Sequence, residues 1–367
     1  MESPGFKKTT MINNIIKLYK KPFSDILKQY YLYIPIIFIV SLLDCWGQDP
    51  QFSQYYSSPL YLSPSFAGST EGSRIVMNYR DQWPKLRGSF TTYALSFDHY
   101  FNKYKSGVGL LFFRDEAGGG LYNSTNIGMQ YSYDFNINKY WHIRPGVHFF
   151  YYQKKVDFKS LFFADQVTSL NVISPTSVES PRSELLGHFD FTSAVLVYSK
   201  NFWVGVTVDH LMSLNKTLAE NDDYLPIRFS VYSGAKYMIT GRTILRKEES
   251  ISFTFRYLSQ SYNNILDVGT YYIKAPLTFG LWYKGLPVFK RSPNNGAFTF
   301  LVGYKIKDLS LAYSYDFTIS QLITITGGAN EVSLIFNFSA SSLLVIGITF
   351  ILHLFIYPNI FITPYFI

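Results

Sequence analysis

Asp308–Phe317 reads DLSLAYSYDF and alternates without a break. Leu309, Leu311, Tyr313, Tyr315 and Phe317 share one face; Asp308, Ser310, Ala312, Ser314 and Asp316 share the other. Successive side chains of a strand point to opposite sides, so this stretch is a two-faced β-strand. Ser124–Asn136 repeats the pattern, with Thr125, Ile127, Met129, Tyr131, Tyr133 and Phe135 opposite small and polar residues. A Tyr- and Phe-rich face backed by a small, polar one suits a strand between lipid and a wet interior. The chain carries the pattern throughout: 19% of residues are aromatic and only 16% charged. Mean hydropathy is +0.04, and between residues 48 and 341 no long apolar run escapes polar interruption. A bundle of membrane helices therefore lacks raw material.

About fourteen segments read as strands, from Arg74–Arg80 to Asn330–Phe338. An even number suits a closed bacterial barrel. Turn chemistry separates them at Lys103–Lys105, Ala117–Gly120, Asn136–Lys139 and Ile306-Lys307, and such short links make an up-and-down meander. Longer connections interrupt it at Lys154–Gly187, Met212–Ile227 and Gly285–Gly296. The expected fold is an all-β, transmembrane, antiparallel up-and-down β-barrel of about 14 strands, spanning residues 74–338. A large soluble β-sandwich is the alternative; the even count, the aromatic faces and the leader described next favour the barrel.

Residues 1–47 read as a signal peptide. Six lysines form a basic leader, and Tyr31–Leu43 is an apolar run of signal-peptide length. Cys45 and Gly47 place small residues at the recognition positions of a cut before Gln48; Met11 is an alternative start, and lipidation of Cys45 a rival reading opposed by Asp44. The leader holds six lysines and three acids, a net +3, so the formal net charge of +8 falls to +5 on cleavage. No basic run of nucleic-acid type appears. The chain's one cysteine leaves with the leader, so no disulfide is expected.

No catalytic site is legible and no cofactor is expected. The six histidines show no metal-ligand spacing, and Gly118-Gly119-Gly120 lacks the strand–helix context of a phosphate cradle. Asp98-His99 and Asp209-His210 are sequence neighbours, which in a strand point to opposite faces and form no dyad. The inward faces read as Gly, Ser, Ala and Asn with few charges, which suits a small pore or a plugged one. Pro50, Pro59 and Pro64 exclude a regular strand from residues 48–73. That segment is expected to lie in the lumen as a plug or to hang in the periplasm.

Several blocks then occur in a recognisable order. Gln48–Ser69 reads QDPQFSQYYSSPLYLSPSFAGS, Arg74–Pro84 reads RIVMNYRDQWP, and Phe90–Tyr100 reads FTTYALSFDHY. GVGLLFFRDEAGGG at Gly107–Gly120, FKSLFFADQ at Phe158–Gln166, FGLWY at Phe279–Tyr283 and NEVSLIFNF at Asn330–Phe338 follow. Together they resemble the PorP/SprF family of the type IX secretion system of Bacteroidetes, over nearly all of residues 48–338. The resemblance implies a non-enzymatic barrel of the cell outer membrane that helps export particular surface proteins. Its implied partners are outer-membrane lipid, the C-terminal secretion domain of a cargo such as a gliding adhesin, and periplasmic ring or peptidoglycan-associated components. No nucleic acid is expected.

The block Arg80, Gln82, Trp83 and Pro84 ends the first strand and is the candidate partner-binding site; its structural alternative is a corner, with Pro84 stopping the strand, Trp83 anchoring at the interface and Arg80 pairing with Asp81 or an inward acid. A channel of porin or fatty-acid-transporter type is the alternative function. Residues 339–367 depart from the family as an atypical apolar tail. A helix over Ser342–Tyr357 would reach about 24 Å, short of the roughly 30 Å hydrocarbon core.

Overall fold

The computed structural model describes residues 49–70, 72–158, 161, 166, 185–212, 226–240, 248–261, 263–286, 296–319 and 323–338. The expected leader, the apolar tail and most of the three long connections lie outside these residues.

Fourteen antiparallel strands form one wall: β1 (Ser73–Gln82), β2 (Phe90–Phe101), β3 (Ser106–Ala117) and β4 (Tyr122–Tyr133). Next come β5 (His142–Val156), β6 (Leu185–Tyr198), β7 (Phe202–Asp209), β8 (Arg228–Thr240) and β9 (Glu249–Gln260). β10 (Asn263–Lys274), β11 (Leu277–Leu286), β12 (Ala297–Ile306), β13 (Leu309–Thr318) and β14 (Ala329–Phe338) complete it. A two-residue piece, Phe135–Asn136, continues β4 along β5. Each strand pairs with the next, and β14 returns to β1 in a register running from Ser73↔Phe338 to Gln82↔Ala329. The sheet is closed, with no free first or last strand, as a barrel in lipid requires.

The alternation sorts the faces as the sequence predicts. In β13 Leu311, Tyr313 and Phe317 are exposed, while Ser314 and Asp316 are buried inside. Aromatic pairs sit on the outer face, among them Tyr79–Tyr93 at 5.4 Å and Phe149–Phe189 at 5.3 Å between ring centroids. One rim carries short turns such as Ala275-Pro276 and Lys307-Asp308, and the three long connections all leave from the opposite rim.

The expectation of a sparsely charged interior is corrected. Arg74, Arg80, Asp98, Arg144, Asp190, Arg228, Arg256, Asp267, Asp316 and Glu331 are all buried on the inward side. Most strands contribute one or two charges, which look minor in a linear reading. Closure collects them from all round the wall into one lumen.

Candidate functional site

Residues 49–70 lie inside the lumen, against this charged wall. Proline shapes the segment locally. Pro59 opens a one-turn helix, α1 (Pro59–Leu62), at a position where its missing N–H costs nothing. Pro64 opens a 3₁₀ turn over Pro64–Phe66, whose Ser65 N–H donates to the Ser63 hydroxyl. The chain can therefore coil inside the barrel without competing for ladder bonds.

Three groups of contacts hold the segment. Nearest the long-loop rim, Glu331 accepts the backbone N–H groups of Ser53 (2.7 Å) and Gln54 (3.0 Å). Arg80 bridges Asp316 at 2.9 Å and Glu331 at 3.2 Å. Lys284 donates to Ser53 Oγ at 2.8 Å and lies 3.4 Å from Asp316. The Gln54 amide donates to Ser314 and to the Glu331 carbonyl, and accepts from Ser333.

In a second group, Arg256 pairs with Asp267 and lies 4.4 Å from the centre of the Tyr55 ring. Tyr61 stacks on Phe113 at 4.6 Å, and Phe52 meets Tyr61 edge-on. Asp49 lies 2.8 Å from His210 Nε2 and 3.3 Å from Arg228, and His210 Nδ1 lies 2.6 Å from Asp190. A cavity of about 40 Å³ between Asp49, Tyr61, His148 and Arg228 has room for a few waters.

Toward the short-turn rim, Gln130 donates to the Leu60 carbonyl at 2.8 Å and Ser132 to that of Ala67 at 2.7 Å. Gly68 N–H donates to Asp98, itself paired with Arg74. Two wall glycines let the backbones touch. A Cβ on Gly107 would sit 2.0 Å from the Ala67 carbonyl oxygen, and one on Gly146 2.4 Å from Ser65 N.

His210 corrects a sequence argument. It stands just past β7 with φ +64°, and this left-handed step turns it inward beside Asp209 rather than to the opposite face. Burial alone would push its imidazole down. The Asp49 charge, and hydrogen bonds to Asp190 and Asp49, outweigh burial and raise it to about 10. Burial likewise favours a protonated Asp49, but His210 and Arg228 hold it well below the usual carboxylate range. Both nitrogens of the imidazolium are committed to carboxylates, so neither is left to act as a base; the group is a clamp.

Because the raised value belongs to the folded state, this stabilisation is fully present below the ordinary histidine value of about 6.5 and is lost as pH rises through about 10. The thermal stability of the wild-type barrel over that of His210→Gln is expected to shrink across that window. The readout is the temperature at which the folded gel band shifts. A difference independent of pH would refute the clamp.

The candidate block at the end of β1 is divided. Arg80 is buried in the lumen, and its Nη2 donates to the Gln82 side chain at 3.0 Å. Trp83 sits on the long-loop rim with φ +62°, donating its N–H to the Gly328 carbonyl and meeting Phe90 edge-on at 5.6 Å. Pro84 beside it is exposed. Sequence reasoning missed Asp49, Ser53, Gln54, His210 and Glu331. Glu331 alone carried a signal, its inward parity, which does not name a partner; parity misplaced His210, and Asp49, Ser53 and Gln54 stand outside the strands.

The family model for the type IX secretion system membrane protein PorP/SprF matches residues 45–336. No curated protein matches the sequence. Among solved structures, the Ralstonia pickettii toluene transporter TbuX is 9% identical, with 77% of this chain and 94% of that chain covered and a TM-score of 0.45. The CymD monoaromatic hydrocarbon channel is 11% identical, with 77% and 93% covered and a TM-score of 0.43. The Acinetobacter baumannii outer membrane protein Omp33 is 9% identical, with 74% and 100% covered and a TM-score of 0.40.

Proposed function

Since the chain belongs to the PorP/SprF family of type IX secretion system membrane proteins, we propose that this outer-membrane barrel retains or escorts a surface cargo and is neither an enzyme nor the conduit. The observation that carries this reading is the occupied lumen. Residues 49–70 bond to wall strands on every side, from Asp98 in β2 to Glu331 in β14. A channel wants open polar rings with weak, exchangeable sites. Here the polar wall groups are spent on one another and on the chain's own segment.

Short turns face the periplasm in barrels of this kind and long loops face outward. That rule puts Gln82, Trp83 and Pro84 on the outer rim, where we place contact with the cargo's C-terminal secretion domain; a gliding adhesin is one such cargo. The short-turn rim is then the side that meets periplasmic ring or peptidoglycan-associated components. Tryptophan supplies a large contact area at small entropic cost.

Deleting the gene is expected to remove one or a few large proteins from the cell surface while other secretion continues. Comparison of surface and secreted proteomes with the parent strain tests this. Complementation with Trp83→Ala is expected to restore the barrel but only part of the cargo. An unchanged surface proteome with impaired solute uptake would move the assignment to a channel.

A further inference from the structure

The barrel wall steps down sharply between β6 and β7. β6 has fourteen residues and β7 eight, and they pair only from Ser193↔Val208 to Tyr198↔Trp203. Above that register the chain leaves β7, and the Leu211 N–H closes onto the Phe191 carbonyl at 3.0 Å. This bond shows that the odd-numbered residues of β6 direct their backbone groups toward the β7 side. The next two odd positions are Gly187 and Phe189. On the other side both lie in register with β5, opposite Gln153 and Tyr151. On the β7 side, no described residue meets their N–H or C=O groups.

This is the edge that an otherwise closed sheet avoids. It stands toward the long-loop rim, beside β5, the longest described strand at fifteen residues. Phe189 is 54% exposed and stacks on Phe149, with Tyr151 edge-on at 5.3 Å. Gly187 has no side chain, and the Tyr151 ring lies over it. An alternating pair of donors and acceptors flanked by an aromatic ridge has a specific complement: an extended peptide with apolar side chains on one face. Neither proline nor lysine guards these two positions.

We propose that the β6 edge at Gly187 and Phe189 receives an extended strand of the surface cargo, by β-strand addition. The proposal rests on the docking function argued above. A second copy of this chain fits the edge poorly. Two copies in one membrane run their β6 strands in the same direction, so they would meet only in parallel and over two residues. A partner arriving from outside is free to pair antiparallel, the better ladder.

The test has two arms in living cells. In the first, Phe189 is replaced by the photocrosslinking p-benzoylphenylalanine in the full chain. Illumination is expected to link it to the same surface protein that disappears on gene deletion. A product with a second copy, a product within the chain alone, or no product while cargo remains at the surface would overturn the proposal.

In the second arm, Phe189→Pro removes an N–H that makes no ladder bond, whereas Phe189→Ala removes only the ring. Folding of each is checked by the gel shift on heating. Surface cargo is expected to fall about ten-fold with proline and less than about two-fold with alanine, the scale of one backbone hydrogen bond plus a steric block. Equal retention in two folded barrels refutes the edge. If the proline barrel does not fold, the crosslink decides. Failure of the docking function itself is a separate result, because then deletion leaves the surface proteome unchanged.

Discussion

Replacing Arg80 by alanine is expected to destabilise the barrel by about 3–5 kcal/mol, the cost of leaving buried charge without its partner. Arg80 touches both Asp316 and Glu331, and both acids are almost fully buried. Without the guanidinium, two neighbouring carboxylates share one lysine, Lys284, which reaches only Asp316 at 3.4 Å. The loss also reaches residues 49–70, because Glu331 uses its two oxygens on the Ser53 and Gln54 amides. Unfolding by denaturant in lipid vesicles measures the effect. Lysine in place of Arg80 is expected to recover only part of it, since one ammonium cannot span two carboxylates with a planar fork. Pairing Arg80→Ala with Glu331→Gln is expected to cost less than the sum of the single changes, because the amide removes the stranded charge. A loss below about 1 kcal/mol would mean that water reaches the cluster and screens it as at a surface.

The same cluster marks the limit of what the sequence discloses. Strand number, faces and closing strand were all legible, because lipid and lumen impose period two on every crossing. Asp316 could be placed inward from DLSLAYSYDF alone. What could not be read was its company. Ser53 and Glu331 are 278 positions apart, and only closure of the sheet brings β14 beside β1. The alternation rule also stops at strand ends, which is why His210 escaped it: one residue with positive φ turned a predicted outward side chain inward. The block at Arg80 read as a rim contact or, more readily, as a corner with Arg80 paired to Asp81 or an inward acid; its strand position fixes a face but not a depth. Open-edge groups on β6 were invisible for a different reason. They arise from the shortness of the neighbouring strand, and a strand's own residues carry no record of that.

Substituting valine at both Gly107 and Gly146 is expected to turn an electrically silent barrel into a conducting one. Each glycine lies where the wall backbone meets the backbone of residues 49–70. The added Cβ would meet Ala67 O at 2.0 Å and Ser65 N at 2.4 Å, distances no rotamer change relieves because the obstacles are main chain. Valine suits a strand, so the wall is expected to keep its register. The cost falls on the segment, which loses the bonds of Gln130, Ser132 and Asp98 to Leu60, Ala67 and Gly68. Single-channel recording in planar bilayers separates the outcomes. Silence in the wild type with steps in the double variant identifies residues 49–70 as the seal. Stable conductance in the wild type would sink the docking-only function, and silence in a folded double variant would place the seal elsewhere. The variant also separates two roles that deletion confounds. If surface cargo persists when the lumen conducts, docking belongs to the rim and the β6 edge; if cargo is lost as well, the lumen segment holds those surfaces in shape.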